Sequence, residues 1–174
     1  WAAEDVDAND NPTGFGILDF SGISLSGTTS FEISLDIAAG STAAFDSVDD
    51  FLFVQYRFDG GPWETALAFQ NDGERFNSAL LRDTDFDGIG DSDPLGLDFQ
   101  TARSGFLAST GNLLDLRIDT FMTSGGEAVA FDNLNVTAVA VPEPALGGLL
   151  TAAGAGLLLL RRKFLPQKEN ESRA

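Results

Sequence analysis

Phe51-Leu-Phe-Val-Gln-Tyr-Arg-Phe58, then Asp59-Gly60-Gly61-Pro62, then Trp63-Glu-Thr-Ala-Leu-Ala-Phe69 is the stretch on which the fold turns. Leu52, Val54, Tyr56 and Phe58 recur every second residue, so an extended chain puts all four on one face. The Asp-Gly-Gly-Pro that follows is turn chemistry, and a second apolar run leaves it at once, which is the signature of a β-hairpin. Asn71-Asp72-Gly73 closes the second strand.

The same period appears on both sides of this hairpin. Phe31, Ile33, Leu35 and Ile37 alternate with Glu32, Ser34 and Asp36; Leu114, Leu116 and Ile118 alternate with Asp115, Arg117 and Asp119. Each reads as a half-buried strand. The last strand, over 128–139, changes phase: Val129 and Phe131 are odd-numbered, Leu134 and Val136 even. A β-bulge near Asp132-Asn133 reconciles the halves. No part of the body carries a 3.6-residue period, and no repeat of fixed length is present. Many short strands with Gly and Asp turns predict an all-β fold, a two-sheet antiparallel sandwich of jelly-roll type over residues 1–140. The fifteen phenylalanines are expected mostly in its core.

Composition narrows the chemistry. The 174 residues hold neither cysteine nor histidine, which removes disulfides, thiol nucleophiles, Cys- or His-based zinc sites and the commonest general base. The net charge of −17 is uneven: residues 1–142 carry 24 acids against five arginines, a net of −19, while 143–174 carry three acids against five bases, a net of +2. So acidic a body is repelled by nucleic acid and by anionic membranes. Nineteen of its 24 acids are Asp, a turn-former and calcium ligand before it is a helix-former. A chain that begins at Trp1 reads as processed or as a fragment, with a secretory signal peptide as one candidate for what stood upstream.

From residue 141 the pattern changes. Val141-Pro142-Glu143-Pro144 leads into the uncharged run 145–160 and then Arg161-Arg162-Lys163 and a polar tail, 161–174. Sixteen residues make a helix of about 24 Å, short of the roughly 30 Å hydrocarbon core unless arginine snorkelling or local thinning closes the gap. Four glycines and no polar face argue against a buried soluble helix. The run is therefore expected to be a transmembrane span with its basic end cytoplasmic. Val141, Pro142, Glu143, Pro144, the apolar span and Arg161-Arg162, in that order, resemble the PEP-CTERM sorting signal of exported bacterial proteins. The resemblance covers about 25 residues. It implies export in a Gram-negative bacterium, with anchoring in the inner membrane through the C-terminal helix. It also implies recognition near Pro142-Glu143-Pro144 by an exosortase-type membrane transpeptidase, then release to the cell surface or extracellular matrix.

The sharpest motif in the body is Asp83-Thr-Asp85-Phe-Asp87-Gly88-Ile-Gly90-Asp91-Ser-Asp93. Alternate Asp with Gly is how a loop wraps oxygens around a hard cation, so Asp83, Asp85, Asp87, Asp91 and Asp93 are candidate calcium ligands. The spacing resembles half an EF-hand loop and the Asp-rich repeats of thrombospondin type 3. Pro94 stands where an EF-hand has its Glu, and no helix pattern follows. An ion-free acidic turn has the same composition. Asp132, at the expected bulge and near Glu127, is a sixth candidate ligand; a hydrogen-bonded bulge is its plainer reading. Asp46/Asp49-Asp50, Asp59-Gly60-Gly61-Pro62-Trp63 and Glu127 to Asn133 together resemble the surface jelly-roll domains that often precede this sorting tail. Trp63 is a candidate platform for a sugar ring, although core packing is the commoner fate of a strand aromatic. Acid pairs such as Asp59 and Glu64 carry little weight as a glycosidase signal in so acidic a chain.

These readings give a non-catalytic exported protein of the cell surface or extracellular matrix, structural or adhesive within a polysaccharide layer, with calcium as the expected ion. The alternative is a carbohydrate-binding module for a defined extracellular glycan, and a glycosidase or lyase comes third.

Overall fold

The computed structural model describes residues 1–4, 6, 11, 14–46, 50–74 and 76–142. Nine strands follow one another: β1 (Ala2–Ala3), β2 (Gly16–Ser24), β3 (Thr28–Ala39), β4 (Phe51–Phe58), β5 (Glu64–Asn71), β6 (Leu80–Asp83), β7 (Gln100–Ala108), β8 (Leu113–Phe121) and β9 (Val129–Ala140). No helix occurs among the described residues. One sheet has the order β1-β9-β3-β7 and the other β2-β8-β4-β5-β6, with antiparallel pairing throughout. The pairs are nested: β1 lies against β9, β2 against β8, β3 against β7 and β4 against β5.

Alternation along the strands makes the core. Phe31, Ile33, Leu35 and Ile37 of β3 are buried, as are Leu52, Val54 and Tyr56 of β4 and Leu114, Leu116 and Ile118 of β8, all in one apolar cluster. The Phe31 ring spans the two sheets, 5.4 Å from Tyr56 and 5.6 Å from Phe58 by ring centroids. Each such side chain contributes about 1.5–3 kcal/mol on burial. A one-residue slip of β3 would bury Glu32, Ser34 and Asp36 instead, so the register is firmly set.

The expected hairpin is present. Asp59 and Gly60 both have positive φ, 50° and 75°, and Gly61 N–H donates to the Phe58 carbonyl at 2.8 Å. That backbone matches the right-handed twist of β4 and β5. The bulge expected in β9 is also found: its pairing with β3 shifts between Ser34 and Asp36, and Asn133 has φ of 50°. Asn is among the few non-glycine residues that enter this region readily.

Edge strands β2 and β7 were not legible from alternation, because each has a single neighbour and a register shift of its own. The phenylalanines correct the expectation made for them. Among the described residues only Phe31, Phe45, Phe69 and Phe131 are buried, while Phe15, Phe20, Phe76, Phe86, Phe99 and Phe106 are exposed. Edge strands and loops carry most of the exposed ones, and Phe51, Phe53 and Phe121 stack on the outer face of the second sheet. Of the sorting motif, Val141 and Pro142 are exposed; Glu143, Pro144, the 145–160 span, Arg161 and Arg162 lie outside the described residues, as does Asp49.

Candidate metal centre

Two groups of carboxylates converge among the described residues, Asp83 with Asp85 and Asp87, and Asp46 with Asp50 and Glu127. Within each group one oxygen per residue lies within 4.8 Å of the others. Two oxygens on opposite sides of a calcium-sized ion, each at about 2.4 Å, are separated by about that distance. Both groups are therefore compact enough to hold a divalent cation.

The first group lies in the loop singled out by its sequence. Asp83 ends β6 and is buried; its carboxylate accepts N–H bonds from Phe86 at 2.7 Å and Gly88 at 3.0 Å, which curls the loop around it. Phe86 and Gly88 take positive φ to allow this. Asp85 and Asp87 are exposed, and the Asp85 carboxyl is pushed up by desolvation and then by the Asp87 charge. Asp91 does not join them. It turns back to accept from the Thr84 N–H at 3.0 Å and hydroxyl at 2.8 Å, bonds that hold its carboxyl below the ordinary value. Asp93 is exposed beyond it. The loop thus brings together three of its five candidate ligands.

Asp132 joins neither group. It sits exposed on β9 opposite Asp36, and its carboxylate accepts the Asn133 N–H.

The second group is assembled by topology. Asp50 immediately precedes β4, Glu127 lies two residues before β9, and Asp46 follows the bridge between Phe45 and Ser78. Asp50 and Glu127 are each only 3% exposed. Thr123, just past β8, lies between them: its N–H reaches Glu127 Oε2 at 2.8 Å and Asp50 Oδ1 at 3.3 Å. The Asp46 carboxylate accepts the Asn77 N–H at 3.2 Å. No ion pair among the described residues involves Asp46, Asp50 or Glu127. Desolvation, together with the facing Glu127 charge, raises the Asp50 carboxyl from 3.8 to about 7. Two carboxylates facing each other out of water need a shared proton or a cation. Proximity in the sequence gives no hint of this centre, since 77 residues separate Asp50 from Glu127.

Trp63, the candidate sugar platform, is half-buried, with the guanidinium groups of Arg57 and Arg117 over its ring at 4.4 and 4.5 Å from the centroid. Both arginines are held in place by carboxylates, Asp115 at 2.9 Å and Asp19 at 2.8 Å. At least one face of the ring is thereby covered by cation–π contact. Asp59 and Glu64 are engaged separately. Asp59 accepts the Leu113 and Asn112 N–H groups, and Glu64 accepts the Tyr56 hydroxyl at 2.8 Å.

Fold and site define an acidic, two-sheet antiparallel β-protein with carboxylate clusters at its loop ends. No protein-family model matches the chain, and no curated protein matches it with significant similarity.

Proposed function

We propose that this chain is an exported cell-surface or extracellular-matrix protein, non-catalytic, whose acidic jelly-roll sandwich is stabilised by calcium. Its role is structural or adhesive within a polysaccharide layer. The nested strand pairs support the jelly-roll reading. The observation that carries the calcium reading is the pair Asp50 and Glu127, buried against Asp46 with no ion pair to them among the described residues. Weak oxygen sites of this kind, with dissociation constants of about 10⁻⁴–10⁻³ M, fill where calcium is millimolar, which is outside the cell. That condition agrees with the export implied by the tail.

Protons supply the first test. The raised Asp50 carboxyl means that the ion-free folded chain holds a proton the unfolded chain has lost, between about pH 4 and about pH 7. Stability from this group is therefore fully present below the unfolded value and declines as pH rises to about 7. Asp19, Asp72, Asp91 and Asp115, whose carboxyls are lowered by hydrogen bonds or arginine, act with the opposite sign but below that window. In chelator the melting temperature should fall from pH 4.5 to 7, and saturating calcium should make the slope shallower, leaving the part due to Asp119, whose carboxyl is also raised by desolvation and lies outside both groups. A chelator profile that is level or rising across this range contradicts the reading.

Export is tested by fractionation. The full chain, expressed behind a secretion signal in an exosortase-bearing bacterium, should reach the surface or matrix with its tail removed. Replacing Pro142, Glu143 and Pro144 by alanine should leave it uncut in the membrane fraction. Equal release of both forms, or an uncut wild type, overturns the sorting assignment.

A further inference from the structure

The outer face of the sheet β1-β9-β3-β7 holds an open groove of about 480 Å³. Its walls come from three adjacent strands: Asn133 and Asn135 of β9, Ser34 and Asp36 of β3, Thr101 and Arg103 of β7. Strand register arranges them in rows across the sheet. Asn135, Ser34 and Arg103 are cross-strand partners, and one row away Asp132, Asp36 and Thr101 are partners. In the next row in the other direction stand Thr137, Glu32 and Phe106. Phe106 shares a face with Glu32 and is 64% exposed, while its neighbour Leu107 packs inward.

The polar groups are held in place. Asp36 accepts the Thr101 hydroxyl at 2.6 Å on one oxygen and the Asn133 amide at 2.8 Å on the other. The left-handed backbone at Asn133, φ of 50°, is what brings that amide across to β3. Arg103 is tied to Glu32 by one terminal nitrogen at 2.9 Å, so its charge is balanced and its other N–H groups remain as donors.

We infer that this groove binds a strand of neutral polysaccharide lying across β9, β3 and β7, with a sugar ring against Phe106. The inference rests on the matrix reading above and supplies its ligand class. Vicinal hydroxyls are paired donors and acceptors, matched by side chains that offer two polar atoms in a fixed plane, as Asp36, Asn135 and Arg103 do. Three strands span about 10 Å, the reach of a disaccharide. A polyanion is opposed by the −19 charge of residues 1–142 and by the pairing of Arg103 with Glu32. An apolar ligand would strand the groove's polar groups without partners. A peptide strand would seek the ladder at a sheet edge, whereas this groove runs over the face.

The test is affinity electrophoresis of the full chain in mild non-ionic detergent, in gels cast with dextran, galactomannan, xyloglucan or mixed-linkage β-glucan, and with alginate as an anionic polymer. The wild type should be retarded by at least one neutral polymer, in calcium and equally in chelator below the melting temperature. Phe106→Ala and Asn135→Ala should each weaken that retardation about tenfold while the melting temperature holds. Both positions are exposed, so the fold tolerates either change. Retardation by no neutral polymer, or by alginate alone, overturns the inference. Retardation that survives both variants but is lost on Trp63→Ala moves the site to the other sheet and also overturns it, and loss in chelator from a still-folded chain would make the ion the ligand's anchor instead. A chain that binds normally but melts identically with and without calcium sinks the calcium reading and leaves the groove standing.

Discussion

A chain carrying both Asp50→Asn and Glu127→Gln is expected to melt above the wild type in chelator and below it in millimolar calcium. The reversal follows from what surrounds the two groups. Without an ion, the wild type buries two facing carboxylates whose partners among the described residues are the Thr123 N–H and hydroxyl and the Asp46 N–H, together with a shared proton. Amides of the same shape keep the volume and remove the like-charge repulsion, which outweighs the loss of one of the two Asp50 acceptor oxygens that the Asp46 and Thr123 N–H groups use. With calcium at about 100-fold over its dissociation constant, the wild type gains roughly 2.7 kcal/mol by mass action. For a body of this size that is a shift on the order of 5–10 °C. The double variant forfeits that gain. Asp85→Asn with Asp87→Asn, in the exposed loop, should give a smaller change in the same calcium experiment, because water already screens those groups. Scanning calorimetry in both conditions reads all of this directly. A double variant that gains as much from calcium as the wild type would rule the buried centre out.

The Asp83–Asp93 loop makes a second large prediction through its glycine. Gly90 is buried, and its N–H donates to the Asn71 carbonyl at 2.7 Å, which fastens the loop to the end of β5. A Cβ there would stand 2.6 Å from the Gln70 carbonyl oxygen, 2.6 Å from Leu81 Cβ and 3.1 Å from the Leu81 carbonyl oxygen. Two of these three neighbours are backbone atoms of paired strands and cannot step aside cheaply. Gly90→Ala should therefore destabilise the body by about 3 kcal/mol, at the upper end for overpacking. Gly96→Ala is the control: it takes no positive φ, its nearest neighbour would be the flexible end of Gln100 at 3.5 Å, and its urea midpoint should barely move. Equal midpoints for the two variants would mean that the loop does not pack against β5 and β6 as described.

Much of the fold was legible because its central strands are half-buried. In β3, β4 and β8 every second side chain faces the other sheet, so apolar alternation and structure coincide. The bulge in β9 could be read for the same reason, since a change of phase must be absorbed somewhere between Phe131 and Leu134. The edge strands β2 and β7 gave no such signal, and their exposed Ile17, Phe20 and Phe106 break the link between apolar residue and core. The Asp83 loop announced itself through local spacing, though spacing alone did not reveal that Asp91 turns away to Thr84. The Asp46, Asp50 and Glu127 centre required the antiparallel pairing of β4 with β8, which carries Asp50 up to Thr123 and hence to Glu127. Beyond the place of these acids in the set that resembles surface jelly-roll domains, its trace in the sequence is an acid immediately before one core strand and another two residues before a second.

Calorimetric titration of calcium into the chelator-stripped full chain, at about pH 6.5 in two buffers of different ionisation enthalpy, tests the calcium reading most directly. The wild type should bind with a dissociation constant of about 10⁻⁴–10⁻³ M and release a proton as the ion displaces it from Asp50. The Asp50→Asn, Glu127→Gln chain should lose both that binding and the buffer dependence of the heat. No binding up to several millimolar calcium, or an identical isotherm from the double variant, would contradict a calcium-stabilised sandwich.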